Sequence, residues 1–393
     1  MIRLADAERI VFEHTYRTGE EECVLGDAAG RVLARDVPSD LDFPPFDKAS
    51  MDGFACRAED LGQALTVVET LPAGTMPTCR IGPGQCARIM TGACVPEGAD
   101  TIFMIEQSET MADKTVRFSG TMTRSNLCRR AEDVRAGEIV LNARTRLDPR
   151  HIAVLAAVGV ARPLVTVRPR VAILATGDEL VEPWVKPGPS QIRNSNGWQL
   201  AAQVTQAGGV ATYCGIARDD LEGLRRRFGE AAATSDVVIL SGGVSKGDFD
   251  RVPEMLMHEG VKTLFDGIAI KPGKPTTFGI RDDLAVFGLP GNPVSTYVVF
   301  EILVKPFLLA MAGHTFMPRW TMAPLARDVR RRSLDRDEWI PVRIDADGSA
   351  QTIDYHGSAD FVALARADGL TLVPAGTDFL PAGTNIRVRT LPS

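Results

Sequence analysis

The chain has 393 residues, 45% of them hydrophobic and 24% charged, and a formal net charge of −6. That length exceeds what one ordinary core organises, so about two to four globular domains are expected. The negative balance argues against a nucleic-acid partner bound by neutralising phosphates, yet leaves room for a small anion held by local lysines and backbone amides.

The first residues, MIRLADAERIVFEHT, set apolar and charged side chains at helical spacing. This predicts an amphipathic helix over about 1–16 and not a signal peptide, so secretion is not expected. No apolar run approaches the ~20 residues that cross a bilayer, so no membrane partner is expected either. Cys23, Cys56, Cys79, Cys86, Cys94, Cys128 and Cys214 are scattered, odd in number and never in a C-x-x-C. Neither a disulfide framework nor a zinc site is indicated, and a reducing cytoplasm fits best.

From about 38 to 145 the chain is rich in Gly, Pro and Thr, and runs such as LTVVETL and GQCARIM read as strands between turns. At Arg170 the pattern changes. RVAILATGDEL, ATYCGIA, DVVILSGG and LAVFGLPGNP read as strands. Helical patterns lie at 198–206, 220–233 and 252–259, and LAVFGLPGNP leads into a long apolar helix ending near Ala312. Such alternation predicts a parallel sheet covered on both faces. Short strands and turns return from about 318. The expected class is therefore a multidomain α/β chain: a central doubly wound parallel sheet with mainly β regions on its N- and C-terminal sides.

Chemistry-bearing clusters fall in loops after the strands of that sheet, where open α/β folds bind ligands. In SGGVSKGDFD, Gly242 and Gly243 permit close backbone approach to a phosphate, and Asp248 and Asp250 are carboxylates suited to hydrated Mg²⁺. A glycine-rich turn with solvated acids explains the same residues. In ATGDEL, Thr176 and Gly177 precede Asp178 and Glu179, and ARDD adds Asp219 and Asp220 after another strand. An acid there can be a mere N-cap, but three acidic strand ends in one sheet also suit a divalent metal or acid–base work. IAIKPGKPTTFG places Lys271 and Lys274 around a Pro-Gly turn, a pattern that is either a soluble turn or a preorganised oxyanion clamp. GLPGNPVS reads as a helix start with Asn292 at the N-cap and Pro293 at the first position, its free amides near Gly291 and Ser295 facing an anion. In FDKASMDGFA, Asp52 before Gly53 is a turn signal, and MTGACVPEGAD is a second turn-rich segment.

Taken in order, FDKASMDGFA, MTGACVPEGAD, RRAEDVRAGE, ATGDEL, RNSNGWQL, SGGVSKGDFD, IKPGKP, GLPGNPVS and the late Gly357-Ser358 resemble the molybdopterin molybdenumtransferases of the MoeA type, the family that includes gephyrin E-domains. The resemblance spans nearly the whole chain. It implies an elongated homodimer whose subunits hold an N-terminal helix (1–16), a linking domain (17–37 and 138–169), a mainly β cleft-closing domain (38–137), an α/β molybdopterin-binding domain (170–317) and a C-terminal β domain (318–393). It further implies that adenylylated molybdopterin and molybdate are converted to molybdenum cofactor and AMP with Mg²⁺. The partners implied are the molybdopterin adenylyltransferase and molybdoenzyme maturation factors.

Residue roles follow the same resemblance. Asp52 and Thr91 would line the cleft of the opposite subunit, and Asp133 would contact substrate. Glu179, Asp219 and Asp250 would be the functional acids and metal ligands. Thr176, Gly177, Asn196, Ser241, Gly242, Gly243 and Ser245 would hold the pterin phosphate or nucleotide. Lys271, Lys274, Ser295 and Ser358 would surround molybdate, with Pro290, Gly291, Asn292 and Pro293 beside them. The family pattern is broken at Gly267, Cys128 and Pro341, where basic residues are usual. Arg343, two residues beyond Pro341 and on the same strand face, is expected to replace the missing arginine. The alternative function is a pterin-binding scaffold, or a paralogue that inserts molybdate inefficiently.

Overall fold

A computed structural model describes residues 1–112, 114–244, 250–331, 333–353 and 360–391; Ser245, Asp248 and Ser358 lie outside the described residues. At its centre is a six-stranded sheet in the spatial order Val210–Ala217, Arg170–Thr176, Val237–Ser241, Leu284–Leu289, Thr277–Arg281, Lys262–Phe265. The first four strands are parallel. The expectation of a wholly parallel sheet is corrected beyond them, because Thr277–Arg281 runs antiparallel to Leu284–Leu289. A tight turn joins these two strands, with Asp282 at φ 51°, a left-handed conformation that Asp tolerates well. So short a connection can only make a hairpin, since a parallel crossover needs about a dozen residues.

The strands are apolar on both sides because both sides are covered. Val171, Ile173, Ile239 and Phe287 pack beneath the N-terminal helix Leu4–Glu13, through Ala7 and Val11, and beneath Asn196–Ala207. Leu174, Val238 and Leu240 pack on the other face against Leu224 and Phe228 of Leu221–Ala232 and Met255 of Val252–His258. Asn196–Ala207 starts before the apolar pattern does, since Asn194 Oδ1 accepts the Gly197 amide at 3.0 Å. Asp220 is a true N-cap, accepting the Gly223 amide at 2.6 Å.

The long apolar helix comprises Pro293–Val299, a π-helical turn Phe300–Val304 and Lys305–Met311. Pro306 has no N–H to return to the preceding turn, and the π register absorbs that missing bond. The span Pro293–Met311 has a mean hydropathy of 1.7 and is long and apolar enough to cross a membrane, contrary to the sequence-based expectation. Here 83% of it is buried inside the fold, and it serves as the core helix.

The C-terminal sheet runs Ile270–Lys271, Asp337–Ile344, Gly369–Val373, Asn385–Thr390, Trp320–Pro324. Its first strand therefore comes from the α/β region: Ile270 lies opposite Asp337, and Lys271 opposite Glu338. Towards the N-terminus, Gly53–Cys56, Ala64–Leu71, Gln85–Ile89 and Thr101–Met104 belong to a second six-stranded sheet, in which Gly53 opens a strand and not a turn. Between the two units, Val37–Pro38 pairs with Ile139–Leu141 and Glu20–Glu22 with Leu164–Thr166, over a small core that includes Leu33, Leu147 and Leu155.

Within the core helix, Lys305 Nζ lies 2.8 Å from Glu301 Oε2, with both side chains at least nine-tenths buried, and Gln203 donates to Glu301 Oε1 at 3.3 Å. Removing one member of a buried pair leaves an uncompensated charge. Lys305→Met is expected to cost about 3–5 kcal/mol in denaturant unfolding, and the double variant E301Q/K305M to recover most of it. An unchanged midpoint in the single variant would refute a dry pair.

Candidate functional site

Three strand-end loops meet over the parallel part of the sheet. Gly242 and Gly243, after the central strand Val237–Ser241, have φ of 96° and 63°. A Cβ on Gly242 would stand 2.5 Å from the Thr176 carbonyl oxygen, and one on Gly243 2.8 Å from Thr176 Oγ1. Only glycine allows this loop to lie against the end of Arg170–Thr176. Over it opens a cavity of about 810 Å³ that collects Thr176, Gly177, Glu179, Asn196, Asp219, Ser241, Gly242, Gly243 and Asp250, together with Pro290, Gly291, Asn292 and Pro293.

Asn196 spans this cavity's floor. Its Nδ2 donates to Gly291 O at 2.7 Å and Ser241 Oγ at 3.0 Å, while Oδ1 has no partner among the described residues. Thr176 Oγ1, on a side chain 2% exposed, is likewise unpartnered among the described residues. Leaving a buried polar atom unpaired costs about 1–3 kcal/mol, so two of them lining one cavity point to a ligand that pairs them.

The acids lie along the same wall. Asp219 donates its amide to Asp178 Oδ1 at 3.4 Å. Its carboxyl is held above the usual carboxylate range, first by burial and then by repulsion from Asp178, Glu179 and Asp250. Among the described residues, however, no three His, Cys, Asp or Glu side chains are placed to hold a metal ion. Glu179, Asp219 and Asp250 line the same cavity.

A second cavity, of about 770 Å³, shares Pro275, Pro290, Gly291 and Asn292 with the first. It holds Lys271, Lys274 and Ser295, and the C-terminal domain adds Arg330, Arg331, Arg336 and Glu338. Lys271 is not a freely solvated turn lysine: its Nζ lies 2.7 Å from Glu338 Oε1. Glu338 Oε2 accepts from Arg331 Nε at 2.8 Å, and Arg331 also donates to the carbonyls of Pro374, Thr377 and Arg336. Glu338 is 6% exposed and is thus fully occupied between two cations. Arg336 donates to Asp335 and, at 3.4 Å, to Ile270 O. The Lys274 ammonium is exposed and has no ion pair or hydrogen bond among the described residues.

Arg343 does not join this set. Pro341 and Arg343 do share a strand face, but the residues of Asp337–Ile344 that line the cavity, Glu338 and Ile340, are on the other. The Arg343 guanidinium is exposed and donates to Asp345 and Gln351. Asn292 stands at the N-cap position, yet its side chain makes no capping bond; Pro293 is at the first helical position.

Asp52, Thr91 and Asp133 sit in the N-terminal β region and line neither cavity of their own chain. Asp52 Oδ1 accepts from Thr91 N and Oγ1, both at 2.7 Å, and these bonds hold its carboxyl below the usual range. Beside Cys128, which pairs with Lys48, Arg129 and Arg130 are held by Asp47 and Asp42. Glu338, Arg331 and Arg336 escape a reading of the sequence because they lie in a charge run, DVRRRSLDRDEW, that resembles a solvated surface. Strand alternation from Trp339, a buried aromatic, was the available signal for Glu338.

Family models match residues 2–159 (MoeA N-terminal region, domain I and II), 172–310 (probable molybdopterin binding domain) and 322–391 (MoeA C-terminal region, domain IV). The chain is 34% identical over 398 residues to the molybdopterin molybdenumtransferase of Bacillus subtilis strain 168, covering 95% of this chain and 91% of that one. It is 35% identical over 389 residues to that of Nostoc sp. PCC 7120, covering 94% and 88%. Two solved structures of the molybdopterin biosynthesis MoeA protein from Pyrococcus horikoshii superpose with TM-scores of 0.84 and 0.86 at 31% and 29% identity, with both chains covered completely.

Because Asp219 has a folded pKa above its unfolded value, its ionised form is disfavoured by folding; the penalty is present at neutral pH and disappears as pH falls through the folded pKa. Asp219→Asn is therefore expected to raise Tm at pH 7, and the gain to shrink as pH falls through the carboxyl's folded pKa. A lower Tm at pH 7 would mean that Asp219 is a stabilising partner instead.

Proposed function

Since the chain belongs to the MoeA family of molybdopterin molybdenumtransferases, transferases of molybdenum cofactor biosynthesis, we propose that it inserts molybdate into adenylylated molybdopterin and releases AMP. The observation that carries this reading is the wall common to the two cavities. One side offers unpaired polar groups and acids, the other a cluster of cations, and a substrate with a phosphoanhydride at one end and thiols at the other can reach both.

Lys271, Lys274 and Ser295 bind the tetrahedral molybdate dianion, for which fixed N–H and O–H donors are the right chemistry. Arg336 supplies from the C-terminal domain the guanidinium that position 341 lacks. Thr176, Asn196 and Ser241 hold the substrate over the backbone of Gly177, Gly242 and Gly243, while Pro290, Gly291, Asn292 and Pro293 form the divide between substrate and molybdate. The oxygen donors Glu179, Asp219 and Asp250 suit Mg²⁺, which keeps several waters and takes one or two carboxylates beside substrate phosphates. Bound there, Mg²⁺ would neutralise charge on the phosphoanhydride as it breaks.

The exposed and prearranged Asp52–Thr91 pair suits closure of a partner's cleft in a homodimer, with Asp133 on the same unit. The chain would work in the cytoplasm, receiving its substrate from the molybdopterin adenylyltransferase and passing its product to molybdoenzyme maturation factors.

Pure protein given adenylylated molybdopterin, Mg²⁺ and molybdate is expected to release AMP in proportion to cofactor formed; no release at micromolar molybdate would sink the reading. Lys271→Ala should raise KM for molybdate about tenfold or more while leaving KM for the pterin substrate unchanged. Asp250→Ala should abolish turnover with the fold intact, as circular dichroism and Tm would report.

A further inference from the structure

Two large apolar side chains lining the substrate cavity are held in solvent. Ile192 is 58% exposed and Phe361 57% exposed. Neither is on a loose segment. Ile192 lies in the short strand Ile192–Arg193, paired with Leu180–Val181, and its amide donates to Glu179 O at 2.8 Å. Phe361 opens the helical turn Phe361–Leu364, where Asp360 Oδ1 accepts the Ala363 amide at 3.1 Å and Ala363 and Leu364 are buried. The fold thus spends ordered structure on presenting both side chains.

Sheet order places them on either side of the glycine loop. Ile192 follows from the loop after Arg170–Thr176, and Phe361 packs by its helix against Pro293–Val299, the helix after Leu284–Leu289. The central strand Val237–Ser241, which ends in Gly242 and Gly243, lies between those two strands. Beneath are Asn196 Oδ1 and Thr176 Oγ1, unpaired among the described residues and on side chains more than nine-tenths buried. A ligand that satisfies all of these groups has apolar faces and a hydrogen-bonding edge.

We propose that Phe361 and Ile192 form an apolar clamp for a planar nitrogen heterocycle of the substrate, whose edge is read by Asn196 and Thr176. Phe361, as the aromatic side chain among this cavity's described lining, is the stacking surface, and the clamp completes the α/β cavity with a group from the C-terminal domain. The inference rests on the molybdopterin reading above, which offers two such rings, a pterin and an adenine.

The test titrates the full chain separately with pterin-6-carboxylate and with AMP, for wild type, Phe361→Ala, Ile192→Ser and Phe361→Trp. Since Phe361 is mostly exposed, its loss should leave Tm unchanged. Phe361→Ala is expected to weaken one probe about tenfold, the scale of base stacking on an aromatic ring, and Phe361→Trp to restore it. The weakened probe identifies the clamped ring. Unchanged binding of both probes in Phe361→Ala and Ile192→Ser, or a loss that Phe361→Trp does not restore, overturns the clamp. AMP release by the wild type separates the two readings. Molybdate-dependent release with a silent Phe361→Ala fails the clamp alone, whereas restored stacking without any such release fails the transferase chemistry alone.

Discussion

Glu338 stands where two domains share one sheet, and its carboxylate is held from both sides of that junction. An ionised carboxylate with 6% exposure is tolerable only when both oxygens are paired, and here Lys271 takes one and Arg331 the other. The backbone repeats the link, because Lys271 lies opposite Glu338 across a parallel strand pair. Arg331 extends it to the carbonyls of Pro374 and Thr377. The lysine loop, the edge of the C-terminal sheet and the turn near residue 375 are therefore one electrostatic unit. The C-terminal domain is part of the cation-lined cavity's construction and not an appendage to a finished α/β domain.

Outside that network, the two cavities collect different charges. Acids gather after Arg170–Thr176, Val210–Ala217 and Val237–Ser241, and cations gather in the lysine loop and the C-terminal domain. Pro275, Pro290, Gly291 and Asn292, all uncharged, separate the two groups. A wall rich in one sign of charge concentrates the field beside it, and a neutral divide lets two such walls of opposite sign stand side by side.

Much of this could be read in the chain, because strand-end loops carry their chemistry in short local patterns. The glycine pair at Gly242 and Gly243 and the acids of ATGDEL and ARDD needed only strand alternation and turn chemistry to be placed at one sheet edge, whereas Lys271 enters a strand of the C-terminal sheet. The hairpin at Thr277–Arg281 was hidden because its turn, Asp282 and Asp283, lacks the usual glycine or asparagine. Arg343 misled for a different reason. Period-two alternation tells which residues share a face, but not which face the cavity takes, and that depends on where Trp339 packs. Long-range pairings such as Lys271 with Glu338 leave no local trace at all.

The small core around Leu33, Leu147 and Leu155 is assembled from two stretches of chain separated by the whole N-terminal β region. Val37–Pro38 has no partner until Ile139–Leu141 has been made. On the ribosome, the intervening sheet is therefore complete before the unit that carries it can close, and domains generally fold as units during synthesis. The β region is a self-contained insertion, entering and leaving through one antiparallel pair of strands. Its contacts can diverge between relatives without disturbing the order in which the rest of the molecule is built.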